Sequence, residues 1–498
     1  MSKTQRRKTP TYVAEIKMRV SEDDARFIDG KMYQANRRYN SLVKYMRRRI
    51  EGVFKDEEYF EMLEQVKKEE ISYEDIFDWL EERGISNYAM KVWLTEGNKA
   101  YNGFHSQCSQ KLSDECWAGV KKCLFDQDKT LHFRKFGQTN VLTGAQANRA
   151  IIYDPKTHTV KFMGRRIQLK PLRKNDVYIA ECMMDRIKFC SVKRMNSKAS
   201  GYEYYLQLHL EGIPPKKYDI GDGEEGVDYG TSTVASYSGK ELNFEEIAPK
   251  VKEYNSQIKL ASAEYQRVTQ RANPECYDET GKPIKGSKCR NWTSARQKAM
   301  MKLKYAYHRK STYVKLWWRH HNNEVLQRSK VVISEEMNWR GLARKAKETS
   351  RRDKKSTVKK KDGSVIEVYK FKRRKRFGKS VLDRSPGFGE ADLKRKIESR
   401  GGEYIKVNTQ VYRASQYHHD TGEYVKPPLN ERTKQIGGHT VSRDTYSAFL
   451  LYHRQDAEHV DTEACISDFE NYLKLQTSLV ARIREQGNVL QNFGLSDF

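Results

Sequence analysis

The stretch GEEGVDYGTSTVASYSGKEL, residues 223–242, reads as strand, turn and strand, yet its first strand carries a carboxylate, Asp228. Aspartate is depleted in strands, and a carboxylate in a half-buried sheet needs a partner. No other feature restricts the possible folds so sharply. Either Asp228 is a turn residue ahead of Gly230, or the fold brings to it something that offsets its charge.

Two more acids stand oddly. Glu335 lies in the strand-like VVISEEMNW, and Asp444 lies in SRDTYSAFLL at what reads as a helix start. Taken singly, Glu335 is one of a solvated pair with Glu336, and Asp444 is a helix cap. Each acid is over a hundred residues from the next, so only a folded sheet can bring the three together. Converging carboxylates cannot all stay ionised without a compensating cation, and a pair of Mg²⁺ ions offers one. Two such ions about 4 Å apart can activate a water and stabilise the leaving oxygen of a phosphodiester.

Charge points the same way. Among 498 residues there are 94 Lys and Arg against 66 Asp and Glu, a formal net charge of +28. Such a field attracts polyanions, nucleic acids first. With 30 Tyr, 18 Phe and 7 Trp the chain is too aromatic for a simple basic arm. No apolar run reaches the roughly 18 residues of a membrane span. MSKTQRRKTP has no apolar core of a secretory signal. The eight cysteines form no CxxC pair, which fits a reducing cytosol with packed thiols. Cys276 and Cys289 flank a Gly/Pro/Lys-rich loop, and a structural disulfide between them is not expected.

Along the chain, TPTYVAEIKMRV alternates like a strand. In the helical run that follows, Ala35, Tyr39, Leu42, Val43, Met46 and Ile50 form an apolar stripe. Arg37, Arg38, Lys44, Arg47 and Arg48 cover much of the rest, either as a solvated face or as a row along a phosphate backbone. Helical texture continues to about residue 125. Short alternating runs from about 130 to 212 predict a small antiparallel β-barrel or sheet that pairs with the first strand, leaving the helices as an insertion. Beyond a linker at IPPKKYDIGDGEEG, strands and helices alternate. The basic segment 343–380, with Lys372, Arg373, Arg374 and Arg376, reads as a self-repelling loop or, between two acid motifs, as an insertion facing nucleic acid.

GVDYGTSTVAS, VVISEEMNWRGL and VSRDTYSAFLL resemble the three motifs of a split RuvC nuclease domain, which has the RNase H fold. NPECYDETGKPIKGSKCRNW and SPGFGEADLKRKIESRGGEYIKVNTQ resemble the segments between those motifs. More narrowly, the chain resembles the TnpB family of transposon-encoded RNA-guided nucleases and the compact type V CRISPR effectors related to it. The resemblance selects Glu335 over Glu336 and spans nearly the whole chain. It implies an α/β multidomain protein. A wedge-like β-barrel domain would take residues 1–20 and 126–215, a helical recognition domain 21–125, and a RuvC-like nuclease domain 216–498.

The implied activity is RNA-guided, metal-dependent DNA endonuclease action. Asp228, Glu335 and Asp444 would hold two Mg²⁺ ions, for which Mn²⁺ can substitute. The implied partners are a guide RNA, of transposon-end or CRISPR origin, and double-stranded target DNA flanked by a short motif. Arg443 would steady the substrate or the neighbouring carboxylate, or be a surface cation. A bacterial cytoplasmic protein, nucleoid-associated when on DNA, is implied, monomeric or, as in some relatives, dimeric. One departure stands out. Many relatives carry a paired-CxxC zinc knuckle before the third motif, whereas residues 408–440 contain no cysteine and only His418, His419 and His439. Structural zinc usually takes four ligands, often thiolates, so zinc is not expected there. Three other functions stay open: an RNA-guided repressor that does not cut, a guide-independent transposase or resolvase of the same fold, and a plain RNA-binding protein, which would not need the three acids.

Overall fold

The run TYVAEIK alternates polar and apolar residues, and in the computed structural model it forms β1 (Thr11–Lys17), exposed and buried by turns. The structure describes residues 9–97, 104–125, 130–135, 137–147, 149–172, 177–198, 201–216, 219–343, 351–359, 365–371, 377–426, 428, 431–486 and 495. The chain divides into two units, Met1–Lys217 and Tyr218–Phe498.

In the first unit β1 is followed by the helices α1 (Glu22–Val53), α2 (Glu57–Lys67), α3 (Tyr73–Glu82), α4 (Asn87–Glu96) and α5 (Ser106–Phe125). After them come β2 (Val141–Thr143), β3 (Ile151–Asp154), β4 (Thr159–Phe162), β5 (Arg165–Gln168), the short α6 (Val177–Cys182), β6 (Ile187–Lys198) and β7 (Gly201–Glu211). β1 pairs antiparallel with β7, from Thr11 opposite Glu211 to Lys17 opposite Tyr205, so the helices are inserted between sheet partners. The Ser21 side chain caps α1 by accepting from the Asp24 N–H, and Glu22, Asp23 and Asp24 complement the helix dipole. The apolar stripe of α1, from Ala35 to Ile50, is buried throughout.

Among the described residues these strands make two sheets rather than one closed barrel, ordered β1-β7-β6-β2 and β3-β4-β5. β6 and β7 run for 12 and 11 residues and pair with each other. β3, β4 and β5 have four residues each. A single bridge, Met18 to Leu169, links the end of the first strand to the smaller sheet.

The second unit is built on β8 (Gly223–Tyr229), β9 (Thr233–Tyr237) and β10 (Leu242–Glu246). There follow α7 (Val251–Ala272), α8 (Ser294–Arg328), β11 (Ser329–Glu335), α9 (Trp339–Ala343), the hairpin β12 (Arg351–Lys359) and β13 (Val365–Phe371), α10 (Gly378–Arg384), α11 (Pro386–Glu398) and β14 (Glu403–Val407). The chain goes on through α12 (Thr409–Tyr412), β15 (Thr433–Ile436), β16 (His439–Ser442), α13 (Arg443–Tyr452) and α14 (Thr462–Glu485). Its central sheet has the order β10-β9-β8-β11-β14. β8, β9 and β10 are antiparallel neighbours, while β8, β11 and β14 run parallel.

Strand alternation gives this sheet two cores. Val227, Tyr229, Val234, Val332 and Tyr404 pack with Trp318 of α8 and Leu393 and Ile397 of α11. Ala235, Tyr237, Ile333 and Val407 pack with Tyr446, Phe449 and Leu450 of α13 and Tyr472 of α14. Trp318 is wholly buried, and its indole N–H donates to the Arg384 carbonyl at 2.7 Å. At Gly389 a Cβ would stand 2.2 Å from the Trp318 ring, so only glycine lets α11 come this close.

Part of the basic segment is regular: β12 and β13 pair antiparallel, with an ion pair between Lys355 and Glu367 at 3.2 Å. The helices at its two ends meet, and a Cβ on Gly378 would stand 3.0 Å from the Ala343 carbonyl. Cys276 and Cys289 are free thiols.

Candidate active site

β8 and β11 lie side by side and parallel, with Ser334 opposite Val227. One residue further on, Asp228 and Glu335 therefore end up on neighbouring strands. On β8, Val227 and Tyr229 belong to the α8 core, so Gly226 and Asp228 face α13. On β11, Ile333 belongs to the α13 core, and Glu335 shares its face.

α13 runs along β8 in the opposite sense. At Gly226 a Cβ would stand 2.3 Å from the Ala448 carbonyl and 2.5 Å from the Tyr452 nitrogen, so helix and strand touch backbone to backbone. Just past the helix, Arg454 pairs with Glu224 at 3.2 Å. Asp444, in the first turn of α13, is then carried to the Asp228 end of the strand. A carboxylate there is favoured by the helix dipole.

The electrostatics record this convergence. The Asp228 carboxyl is pushed well above the usual range, first by burial, then by the charges of Asp444 and Glu335, with Arg443 and Arg432 opposing. Burial raises Glu335 to about 7, against a hydrogen bond that the Ala414 N–H donates to its Oε1 at 3.1 Å. Arg413, just before that donor, has a left-handed φ of 42° and turns the chain so that Ala414 can reach the carboxylate. Glu336 is exposed, and its N–H donates to the Val407 carbonyl at 3.0 Å.

Two arginines flank Asp444. Arg443 Nε lies 3.5 Å from Oδ1 and Arg432 Nη1 lies 3.7 Å from Oδ2, both too long for strong hydrogen bonds. Arg443 is mostly buried and donates to the Glu431 carbonyl at 2.9 Å. Arg432 is about half exposed. Arg432 and the Ala414 N–H escaped the sequence reading, because neither belongs to a motif and both depend on how 408–440 folds back.

The three carboxylates are not packed oxygen to oxygen. Among the described residues, the triad whose ligand atoms all lie within 4.8 Å of one another is Glu245, His321 and Glu324, elsewhere in the unit. A buried Asp228 whose proton affinity is raised further by two neighbouring carboxylates, with two arginines opposing, belongs to a donor set that fits hard divalent cations.

The other residues named from sequence fall differently. Arg37 and Lys44 are exposed on α1. Arg47 is half-buried, donating from Nε to the Leu131 carbonyl at 2.6 Å and lying over the Phe133 ring. Arg38 does not belong to the outer row: it is 2 % exposed, and its Nη2 donates to the Leu94 carbonyl at 2.7 Å. Its place in the helix put it among the basic residues, but the packing of α4 on α1 encloses it. Lys372, Arg373, Arg374 and Arg376 lie outside the described residues. In the Cys-free segment, the buried His419 has Nδ1 2.7 Å from the Tyr446 hydroxyl and packs against Phe469.

No protein-family model and no curated protein matches the chain. Among solved structures it is similar to a Cas12f1–sgRNA–target DNA complex, at 12% identity and a TM-score of 0.40, over 89% of this chain and 99% of that one. It is also similar to a CRISPR-Cas12f ternary complex, at 11% identity and a TM-score of 0.26, over 87% of this chain and 82% of that one. Likenesses this distant carry no inference about activity.

Proposed function

We propose that the chain is an RNA-guided DNA endonuclease with one RuvC-type site on an RNase H-like sheet. The observation that carries this reading is the convergence of Asp228, Glu335 and Asp444, from β8, β11 and α13, at one end of a sheet ordered β10-β9-β8-β11-β14. The charge of +28 supports a polyanionic substrate and guide. The motif resemblance supports the guided form over a guide-independent one.

Asp228, Glu335 and Asp444 would hold Mg²⁺, which when bound supplies an activated water and charge stabilisation for the leaving oxygen. The Ala414 N–H fixes one oxygen of Glu335, leaving the other free to bind. Arg443, tethered to the Glu431 carbonyl, steadies Asp444. Arg432, with more exposure, would meet a phosphate oxygen of the substrate.

The test is purification with co-expressed RNA, sequencing of the bound RNA, and cleavage of matched DNA in Mg²⁺. We expect one discrete RNA species and cleavage that falls by on the order of 10³-fold in Asp228→Ala, about 4 kcal/mol of transition-state stabilisation. Guide and target binding should persist in that variant. Unchanged cutting would overturn the site, and random RNA fragments would overturn the guided reading.

A further inference from the structure

On the sheet face opposite Asp228, α8 crosses the edge strand β10. Phe244 of β10 turns into the α13 core, so Glu245 faces α8. There it meets His321 and Glu324, three residues apart on one face of the helix. One ligand atom from each of the three lies within 4.8 Å of the other two.

His321 is built in. It is 6 % exposed, and the Trp317 ring stacks on it with centroids 5.3 Å apart and planes at 7°. Trp318 meets it edge-on at 5.7 Å. Nδ1 lies 3.3 Å from Glu245 Oε2, longer than a charge-assisted hydrogen bond normally is. Nε2 is buried with no hydrogen-bond partner. A neutral ring with Nδ1–H towards Glu245 leaves Nε2 a lone pair with no donor. A charged ring leaves it a proton with no acceptor. Either state strands a buried polar atom. The imidazole and both glutamates also line one cavity, of about 360 Å³, together with His320. His320 Nδ1 is 3.2 Å from Glu324 Oε1.

We propose that Glu245, His321 and Glu324 bind one divalent transition-metal ion, with zinc as the ion to test. One imidazole and two carboxylates suit zinc, and His320 or water completes a tetrahedral set. Hard Mg²⁺ prefers oxygen ligands in octahedral array and is selected against by the imidazole. The ion would clamp the edge strand β10 to α8. The site shares no residue with the three acids and lies on the other face of their sheet.

The experiment is calorimetric titration of ZnCl₂ into chelator-stripped full-length protein, in buffer holding excess Mg²⁺, together with thermal unfolding and cobalt substitution. We expect a zinc ion that excess Mg²⁺ does not displace, a raised unfolding midpoint, and visible cobalt d–d absorption without a thiolate charge-transfer band. Asp228→Ala should bind zinc like the parent. The variant Glu324→Gln, at a half-exposed side chain, should weaken binding at least tenfold and abolish the midpoint shift, and it keeps the test sound even if His321→Ala does not fold. Zinc binding unaltered by Glu324→Gln, a thiolate band, or no binding would overturn the site.

Discussion

Glu335 and Asp228 keep protons that an unfolded chain would release, and this gives a sign to the pH dependence of stability. Glu335 moves from 4.5 to about 7 on folding, and Asp228 moves in the same direction. Over that interval the folded state binds more protons at these two groups, so their contribution to stability is greatest below about 4.5 and is lost as pH rises towards 7. For metal-free protein, urea unfolding at stepped pH should lose on the order of 1–3 kcal/mol across this window. Glu335→Gln should flatten the curve; a curve unchanged by that substitution would show that Glu335 is not the group responsible. Gly226 is the other decisive single residue. An added Cβ meets main chain, not a flexible side chain, so Gly226→Ala must lift α13 off β8. We expect a loss of about 1–3 kcal/mol by chemical denaturation, together with reduced cleavage, since Asp444 rides on the displaced helix. Full activity in a stably folded Gly226→Ala protein would contradict the backbone contact.

Among elements, the pairing of α8 and α11 across Trp318 holds the face of the sheet opposite Asp228. Trp318→Ala should cost about 3–5 kcal/mol. Trp318→Phe should cost less, since it keeps most of the ring and loses mainly the hydrogen bond to the Arg384 carbonyl. Equal losses in thermal melts would assign the effect to the hydrogen bond alone. This is also the scale at which sequence and structure part company. The strand character of GVDYG and VVISEE was legible because alternation is local, and so was the apolar stripe of α1. Arg38 was misassigned because burial depends on α4, which lies far along the chain from it. Of the two readings, barrel or sheet, the pattern of short strands left the choice open because it says nothing about which edges close; the described strands form an antiparallel sheet that takes in the first strand. The roles of Gly226 and His321 were invisible for the same reason: each is defined by a partner from a distant element, respectively α13 and β10. In the segment 343–380 the charge was obvious, whereas the hairpin β12–β13 was masked by it.

For the whole molecule, the net charge makes nucleic-acid affinity a function of ionic strength. RNA affinity should fall by about 10³-fold between roughly 50 and 200 mM salt, as counterion release at six or so phosphates requires. Filter binding at stepped salt would measure it, and a flat response would remove the polyanion reading. The two helices that bracket the basic segment come back together at Ala343 and Gly378. In topological terms the segment is a side loop on a closed circuit: the main path from β11 to α10 needs almost no chain to be completed without it. Residues 344–377 can therefore be exchanged for a short glycine–serine bridge, or for a cargo domain whose own termini lie close together, while the sheet and its acids stay in register.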